Sequence, residues 1–296
     1  MACDPKLLRK LQSARELPTL PAVLVPLLRY LERPLDSQDV HEIVKLIAKD
    51  ESLAARCLQI ANSPLFSCSR EVESIQAAVV ALGLERIHQI AVSCSFLKLL
   101  PSMHDVSPSV FWAHSLGCAL VAREFATKIG FADPGKAYAG GLLHDVGIIA
   151  LLSVAPEEFA RSLRLARTER IALHEAEQRE LGIDHEEAGE ILAEIWHLPS
   201  DIREVIAHHH TPGSAAESHA LVSVVAFRDL LCRLNGIGYG FSEAHQINFA
   251  EDPAFLGLAA QFVALQPFDL ARFTFETEGI LEEVRAIVNQ VYGAAQ

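Results

Sequence analysis

The chain predicts an all-α protein, and three observations carry that reading. Apolar residues recur at spacings of three and four along most of its length, no alternation of apolar and polar residues persists for the length of a strand, and Pro, Gly and short polar residues punctuate the apolar runs. A hydrophobic content of 50% over 296 residues fills a real core, in two modest domains or one large one.

Pro18, Pro21 and Pro26 precede and enter a first helix of about residues 20 to 32, with Val23, Leu24, Leu27, Leu28 and Leu31 on one side. Asp36 or Ser37 can cap a helix carrying Val40, Ile43, Val44, Leu46 and Ile47. Asp50 or Glu51 opens the next, with Leu53, Cys57, Leu58 and Ile60, which Asn62-Ser63-Pro64 ends. Ser74 caps Ile75 to Leu82; the run breaks at Gly83 and resumes through Ile87, Ile90, Phe96 and Leu99. The polar gap Pro101 to Pro108 marks a boundary, dividing the chain into an N-terminal helical bundle (1–104) and a second bundle (105–296). Beyond it, helices are expected over Phe111 to Ile129, Lys136 to Leu152, Pro156 to Arg170, Ile171 to Leu181, His185 to Trp196, Asp201 to His209, Ala220 to Leu234, Pro253 to Leu265 and Asp269 to Tyr292.

Charge excludes some functions. The net charge is −13, and residues 1–104 hold 12 Lys+Arg against 11 Asp+Glu, leaving 13 against 27 for the rest. Such a surface repels a phosphate backbone, so direct nucleic-acid binding is not expected. Helix, Gly-turn, helix over Ala78 to Val92 has the outline of a DNA-reading motif, but its second helix offers only Arg86, His88 and Gln89 as long polar groups and reads as a packed hairpin. The six cysteines are scattered with no C-x-x-C pair, which suits a reducing cytoplasm, and neither a signal peptide nor a membrane segment is expected. The loop Gly236-Ile237-Gly238-Tyr239-Gly240 follows a helix and precedes no Lys-Ser/Thr, so it reads as an ordinary turn and a poor phosphate cradle.

The chemistry-bearing residues cluster differently. His144-Asp145 sits in Gly140-Gly141-Leu142-Leu143-His144-Asp145-Val146-Gly147, at the polar edge of an apolar helix where two unpartnered groups would be costly. His114 lies one helix earlier, His185 opens a later one, His208-His209-His210 closes the next, and Asp229 projects from the one after that. Helical bundles gather such ligands from several helices around one internal site, and a mixed nitrogen and oxygen set suits iron, manganese, zinc or nickel. Singly, each histidine reads more readily as a hydrogen-bonded core residue, about three times in four.

His114, then Leu143-His144-Asp145-Val146-Gly147, then Asp229, resembles the HD superfamily of metal-dependent phosphohydrolases. Asp184-His185-Glu186-Glu187-Ala188-Gly189-Glu190-Ile191-Leu192 and Ile206-Ala207-His208-His209-His210-Thr211-Pro212 resemble two bacterial signalling branches, HD-GYP and HDOD. Leu17-Pro18-Thr19-Leu20-Pro21, Ala61-Asn62-Ser63-Pro64-Leu65-Phe66, Ile75-Gln76-Ala77-Ala78-Val79, Leu82-Gly83 and Leu231 to Gly240 favour HDOD. The resemblance implies an N-terminal helical bundle packed on an HD-like one. It also implies a first metal held by His114, His144, Asp145 and Asp229, and a second by His185, His209 and His210. Iron is the expected ion, with manganese, zinc and nickel as alternatives.

Two departures weigh against catalysis. HD-GYP enzymes follow His-Asp-x-Gly with a phosphate-binding lysine, where this chain has Ile148, and carry a Gly-Tyr-Pro loop where it has Pro212-Gly213-Ser214-Ala215-Ala216. The resemblance therefore implies a regulatory protein acting on signalling partners of a two-component or cyclic-nucleotide pathway. The alternative is a metal-dependent phosphohydrolase of nucleotides or cyclic dinucleotides.

Overall fold

A computed structural model describes residues 3–31, 39–63, 71–99, 107–239, 251–265 and 269–293, and among them there are helices and no strands. The segments Asp36-Ser37, Pro64 to Phe66, Pro101 to Val106 and Gly240, on which parts of the sequence reading fall, lie outside the described residues.

Contacts divide the chain into two compact units, one comprising Met1–Thr19 and Pro101–Glu278, the other Leu20–Leu100 and Gly279–Gln296. Set beside a single division at residue 104, each terminal segment is grouped with the opposite half of the chain.

In the unit built on residues 20–100, α2 (Leu24–Leu31), α3 (Val40–Ala48), α4 (Glu51–Ala61), α5 (Ile75–Leu82) and α6 (Leu84–Phe96) pack together. Asp39, Asp50 and Ser74 cap α3, α4 and α5, each side chain accepting a backbone N–H of the first turn, as short polar residues do at this position. Gly83, at φ +88°, separates α5 from α6. All of α6 from Ile87 to Phe96 is buried, including His88 and Gln89, so the helix that superficially resembles a DNA reader has no face to offer. His88 Nε2–H donates to the Leu27 carbonyl at 2.7 Å.

The other unit opens with a helix that the sequence reading missed, α1 (Pro5–Leu11), which is only seven residues long and buries only Leu7 and Leu11. Its main body runs α7 (Pro108–Ile129), α8 (Pro134–Leu143), α9 (Val146–Val154), α10 (Pro156–Glu169), α11 (Leu173–Glu180), α12 (His185–Ile195), α13 (Ser200–His208), α14 (His219–Leu234) and α15 (Pro253–Gln261). A final helix, α16 (Leu270–Tyr292), begins in this unit and ends in the other. Helices α8 and α14 pack on α7, and α9 and α13 pack on α12.

The single helix expected over Lys136 to Leu152 is two helices, broken at His144-Asp145. Asp145 occupies the N-cap position of α9 yet makes no capping hydrogen bond. Its carboxylate is turned toward histidines, and an Asp whose oxygens are used elsewhere leaves the helix end to be held by packing. That packing is dense: Leu142, Leu143, Ile148 and Ile149 are each 0% exposed, and each buried aliphatic is worth about 1.5–3 kcal/mol. The stretch Pro134–Val154 has a mean hydropathy of 1.6, enough to cross a membrane by composition, but 89% of it is buried inside the protein and forms its core. Gly147 and Gly189 allow α9 and α12 to touch backbone to backbone: a Cβ on Gly147 would lie 1.8 Å from the His185 carbonyl oxygen.

Candidate metal centre

Helices α7, α8, α12, α13 and α14, with the break between α8 and α9, bring all seven candidate side chains together. His114, His144, Asp145, His185, His209 and Asp229 are buried and His210 is half-buried. They form two sets that meet at Asp145.

In the first set His114 Nδ1–H donates to the Ile237 carbonyl at 2.8 Å, and His144 Nδ1–H donates to the Gly141 carbonyl at 2.9 Å. Each bond commits Nδ1 as the donor and turns Nε2 toward the other members of the set, the arrangement by which an outer carbonyl orients a metal-binding imidazole. The two Nε2 atoms are 3.3 Å apart. Asp145 Oδ2 lies 3.2 Å from His114 Nε2 and 3.0 Å from His144 Nε2, and Asp229 Oδ1 lies 3.2 Å from His114 Nε2. Asp229 Oδ1 is buried without a hydrogen bond. Arg233, one turn along α14, sits with Nη2 3.0 Å from Asp229 Oδ2 and fixes that carboxylate.

The second set has the same logic. His185 Nδ1–H donates to Glu177 Oε2 at 2.6 Å, and His209 Nδ1 lies 3.1 Å from the Ile206 carbonyl. Their Nε2 atoms are 3.3 Å apart, and His210 Nε2 lies 2.9 Å from that of His185. Asp145 Oδ1 lies 3.4 Å from both His185 Nε2 and His209 Nε2. Glu186 accepts the His210 backbone N–H at 2.7 Å and so holds the end of α13 against α12. His208, the other histidine of the run, is outside the cluster among the described residues.

Charge follows from this crowding. Burial pulls His114 down, but Asp145 and Asp229 outweigh it and hold its pKa well above the ordinary value. Burial would raise Asp145, but His144, His114 and His209 hold it well below the carboxylate range. Burial lowers His185, yet Glu177 lifts it to about 10. His210 has no such partner: burial, then His209 and His185, push it well below its usual value. Without an ion, protons held on His114 and His185 balance the buried carboxylates; a cation would displace those protons and take up the converging imidazole and carboxylate lone pairs. The donor set therefore fits transition metal ions: His114, His144, Asp145 and Asp229 can hold one, and His185, His209, His210 and Asp145 another. One carboxylate facing both sets is the arrangement by which two ions can share a ligand, and such a pair supplies Lewis acidity and a deprotonated water when bound.

Beside the centre is a cavity lined by Asp145, Leu173, His185, His210, Asp229, Arg233 and Tyr239, with about 20 Å³ open to the centres of water molecules. A single water requires roughly 10–15 Å³ on that measure.

The model of the HDOD domain matches residues 17–212 of this sequence. The chain belongs to the HDOD family. An HDOD domain protein of unknown function from Geobacter sulfurreducens, whose crystal structure is solved, is 30% identical with a TM-score of 0.80, over 97% of this chain and 99% of that one. A protein of Shewanella amazonensis, provisionally named a phosphohydrolase, shares the fold at 22% identity and a TM-score of 0.71, over 97% of this chain and 98% of that one. An uncharacterized protein of Treponema pallidum is 29% identical over 220 residues, covering 74% of this chain; the match spans 42% of that relative's length.

Several residues of this HDOD centre were not singled out from the sequence. Glu177 is 0% exposed on the polar helix α11, and the sign of it was a carboxylate beside Leu173 and Ala176 on the buried face. Arg233 was legible as a cation four residues after Asp229. Cys118 Sγ lies 3.8 Å from His114 Nε2, one turn along α7, and its thiol meets that of Cys232 across α14, a pairing that no spacing between residues 118 and 232 announces. Tyr239 donates its hydroxyl to Asp145 Oδ2. Burial, then the Asp145 and Asp229 carboxylates, hold this phenol well above its ordinary pKa.

Proposed function

We propose that this HDOD protein is a bacterial signalling module whose HD-type centre binds one or two transition metal ions, with iron as the expected ion, and which acts through protein contacts in a two-component or cyclic-nucleotide circuit. The observation that carries the metal reading is Asp145, whose Oδ2 faces His114 and His144 while its Oδ1 faces His185 and His209. A regulatory role rather than hydrolysis is supported by Ile148. At the position where HD-GYP relatives place a phosphate-binding lysine, this side chain is 0% exposed and belongs to the core between α9 and its neighbours. A reducing cytoplasm is the compartment this reading assigns, in keeping with the free thiols of Cys3, Cys57, Cys94, Cys118 and Cys232.

A second reading, a metal-dependent phosphohydrolase, is favoured by one observation: Arg233 lines the cavity beside Asp229 and His210. A guanidinium is suited to a phosphoryl oxygen. The two readings separate on metal-repleted protein assayed against cyclic di-GMP and a generic phosphodiester. The signalling reading expects retained metal and no turnover above that of a His144→Ala, Asp145→Ala variant. Turnover that vanishes in the variant would establish the hydrolase, and less than about 0.2 equivalents of bound metal after repletion would remove the metal centre from both.

A further inference from the structure

The Gly236 to Tyr239 loop reads from sequence as a turn, yet it touches the first set of donors twice and the arginine that supports them once. The Ile237 carbonyl accepts the His114 Nδ1–H at 2.8 Å. Gly238 lies against the stem of Arg233, where an added Cβ would stand 3.3 Å from Cγ, and Arg233 in turn fixes Asp229. Tyr239 places its hydroxyl on Asp145 Oδ2, with its ring centroid 4.8 Å from that of His114 and stacked at 5.9 Å on Phe111. Its ring is therefore clamped, and the residue lines the same cavity as Asp145 and Asp229.

We propose that Tyr239 is a metal ligand, its phenolic oxygen completing the shell of an ion held by His114, His144, Asp145 and Asp229. This rests on the metal reading of the site. The oxygen already touches the carboxylate oxygen that lies 3.2 Å and 3.0 Å from the two imidazole nitrogens, which places it beside the ion they would hold. On binding, the phenolic O–H bond breaks, an oxygen–metal bond forms, and the proton leaves to water in the cavity that the residue lines. Two imidazoles, two carboxylates and a phenolate form an oxygen-rich set suited to ferric ion.

Ferric ion is also the probe, because a phenolate bound to it produces a visible charge-transfer band. The full chain and its Tyr239→Phe variant are loaded with ferrous iron without oxygen and then exposed to air, dioxygen taking the electron. Iron content, visible absorption and resonance Raman spectra are then recorded. The proposal expects the band and tyrosinate ring modes in the parent protein, and their loss in Tyr239→Phe at unchanged iron content. Ring-deuterated tyrosine in the parent protein shifts those modes and so assigns them to a tyrosinate, and Tyr30→Phe, Tyr138→Phe and Tyr292→Phe, which should leave the band in place, assign it to Tyr239 even if Tyr239→Phe fails to fold. Retained iron without the band, or a band that persists in Tyr239→Phe, overturns the ligand role while leaving the metal site standing. Failure to retain iron also overturns it, and parallel loading with manganese and zinc then shows whether the metal reading falls too.

Discussion

Replacing Gly147 with alanine tests how closely the chain must pack to hold the second set of histidines. An added Cβ would stand 1.8 Å from the His185 carbonyl oxygen, 2.7 Å from the His185 carbonyl carbon and 2.7 Å from Gly189 N, all of them backbone atoms. No side chain can swing aside to make room. Non-bonded heavy atoms settle near ~3.5 Å, so α9 and α12 must separate by roughly 1.5 Å. On the two helices Val146, Ile149, Ala188 and Leu192 are all 0% exposed. Overpacking of this kind costs about 1–3 kcal/mol, and with backbone on the opposing side the expected loss is at the upper end, about 3 kcal/mol. Because the clash is with His185 itself, its ring also leaves His209 and His210, and metal retention on that side should fall before retention by His114, His144 and Asp229. Urea denaturation gives the first quantity and elemental analysis the second. Gly213→Ala is the control, since an added Cβ there meets nothing within 4 Å. If Gly147→Ala unfolds at the same urea concentration as Gly213→Ala, the close approach of the two helices is wrong.

Two further predictions concern buried groups away from the histidine sets. His88 is pushed down to about 4 by burial, with its bond to Leu27 opposing the shift, against an ordinary value of 6.5. The unfolded chain therefore takes up the proton first: the contribution of His88 is full above pH 6.5 and is lost as pH falls toward 4, by up to roughly 3 kcal/mol. His88→Gln, which keeps a donor for the Leu27 carbonyl, should flatten stability against pH across that window; an unchanged acid dependence would refute the assignment. Arg228 is 0% exposed, and none of its three side-chain nitrogens has a hydrogen bond. It is held over the rings of Phe125, Phe227 and Phe273, with centroid distances of 3.7, 4.0 and 4.7 Å. Cation–π contacts return about 2 kcal/mol when desolvated, less than a buried unpaired charge costs, so Arg228→Met should raise stability by roughly 1–3 kcal/mol in chemical denaturation. A loss of stability would mean that the aromatic box outweighs desolvation.

What the sequence made legible is the part governed by local rules. Helix periodicity, the caps at Asp50 and Ser74 and the stop at Asn235-Gly236 all depend on neighbours within a turn or two, and the helices lie where those rules put them, within a few residues. The break at His144-Asp145 was not legible, because Ala137 to Leu152 is otherwise apolar and one polar pair within it does not by itself end a helix. Asp145 ends the helix there because its oxygens serve histidines from α7, α12 and α13, a tertiary demand that overrides helix propensity. The role of Gly147 was hidden for the same reason, since the residue that excludes a side chain there is thirty-eight positions away, at His185. Tyr239 was visible as an aromatic between glycines, but only its contact with Asp145 separates it from any turn residue. The seven candidate ligands are brought together in space, but their order along the chain conveyed nothing of how Asp145 lies between the two sets.

The most direct test of that last feature is a crystal structure of the iron-repleted protein with anomalous scattering collected at the iron edge. The account predicts anomalous density beside Asp145, as one peak or as two, among His114, His144 and Asp229 on one side or His185, His209 and His210 on the other. A repleted crystal with no peak at either set, its histidines hydrogen-bonded to one another or to water instead, would contradict it.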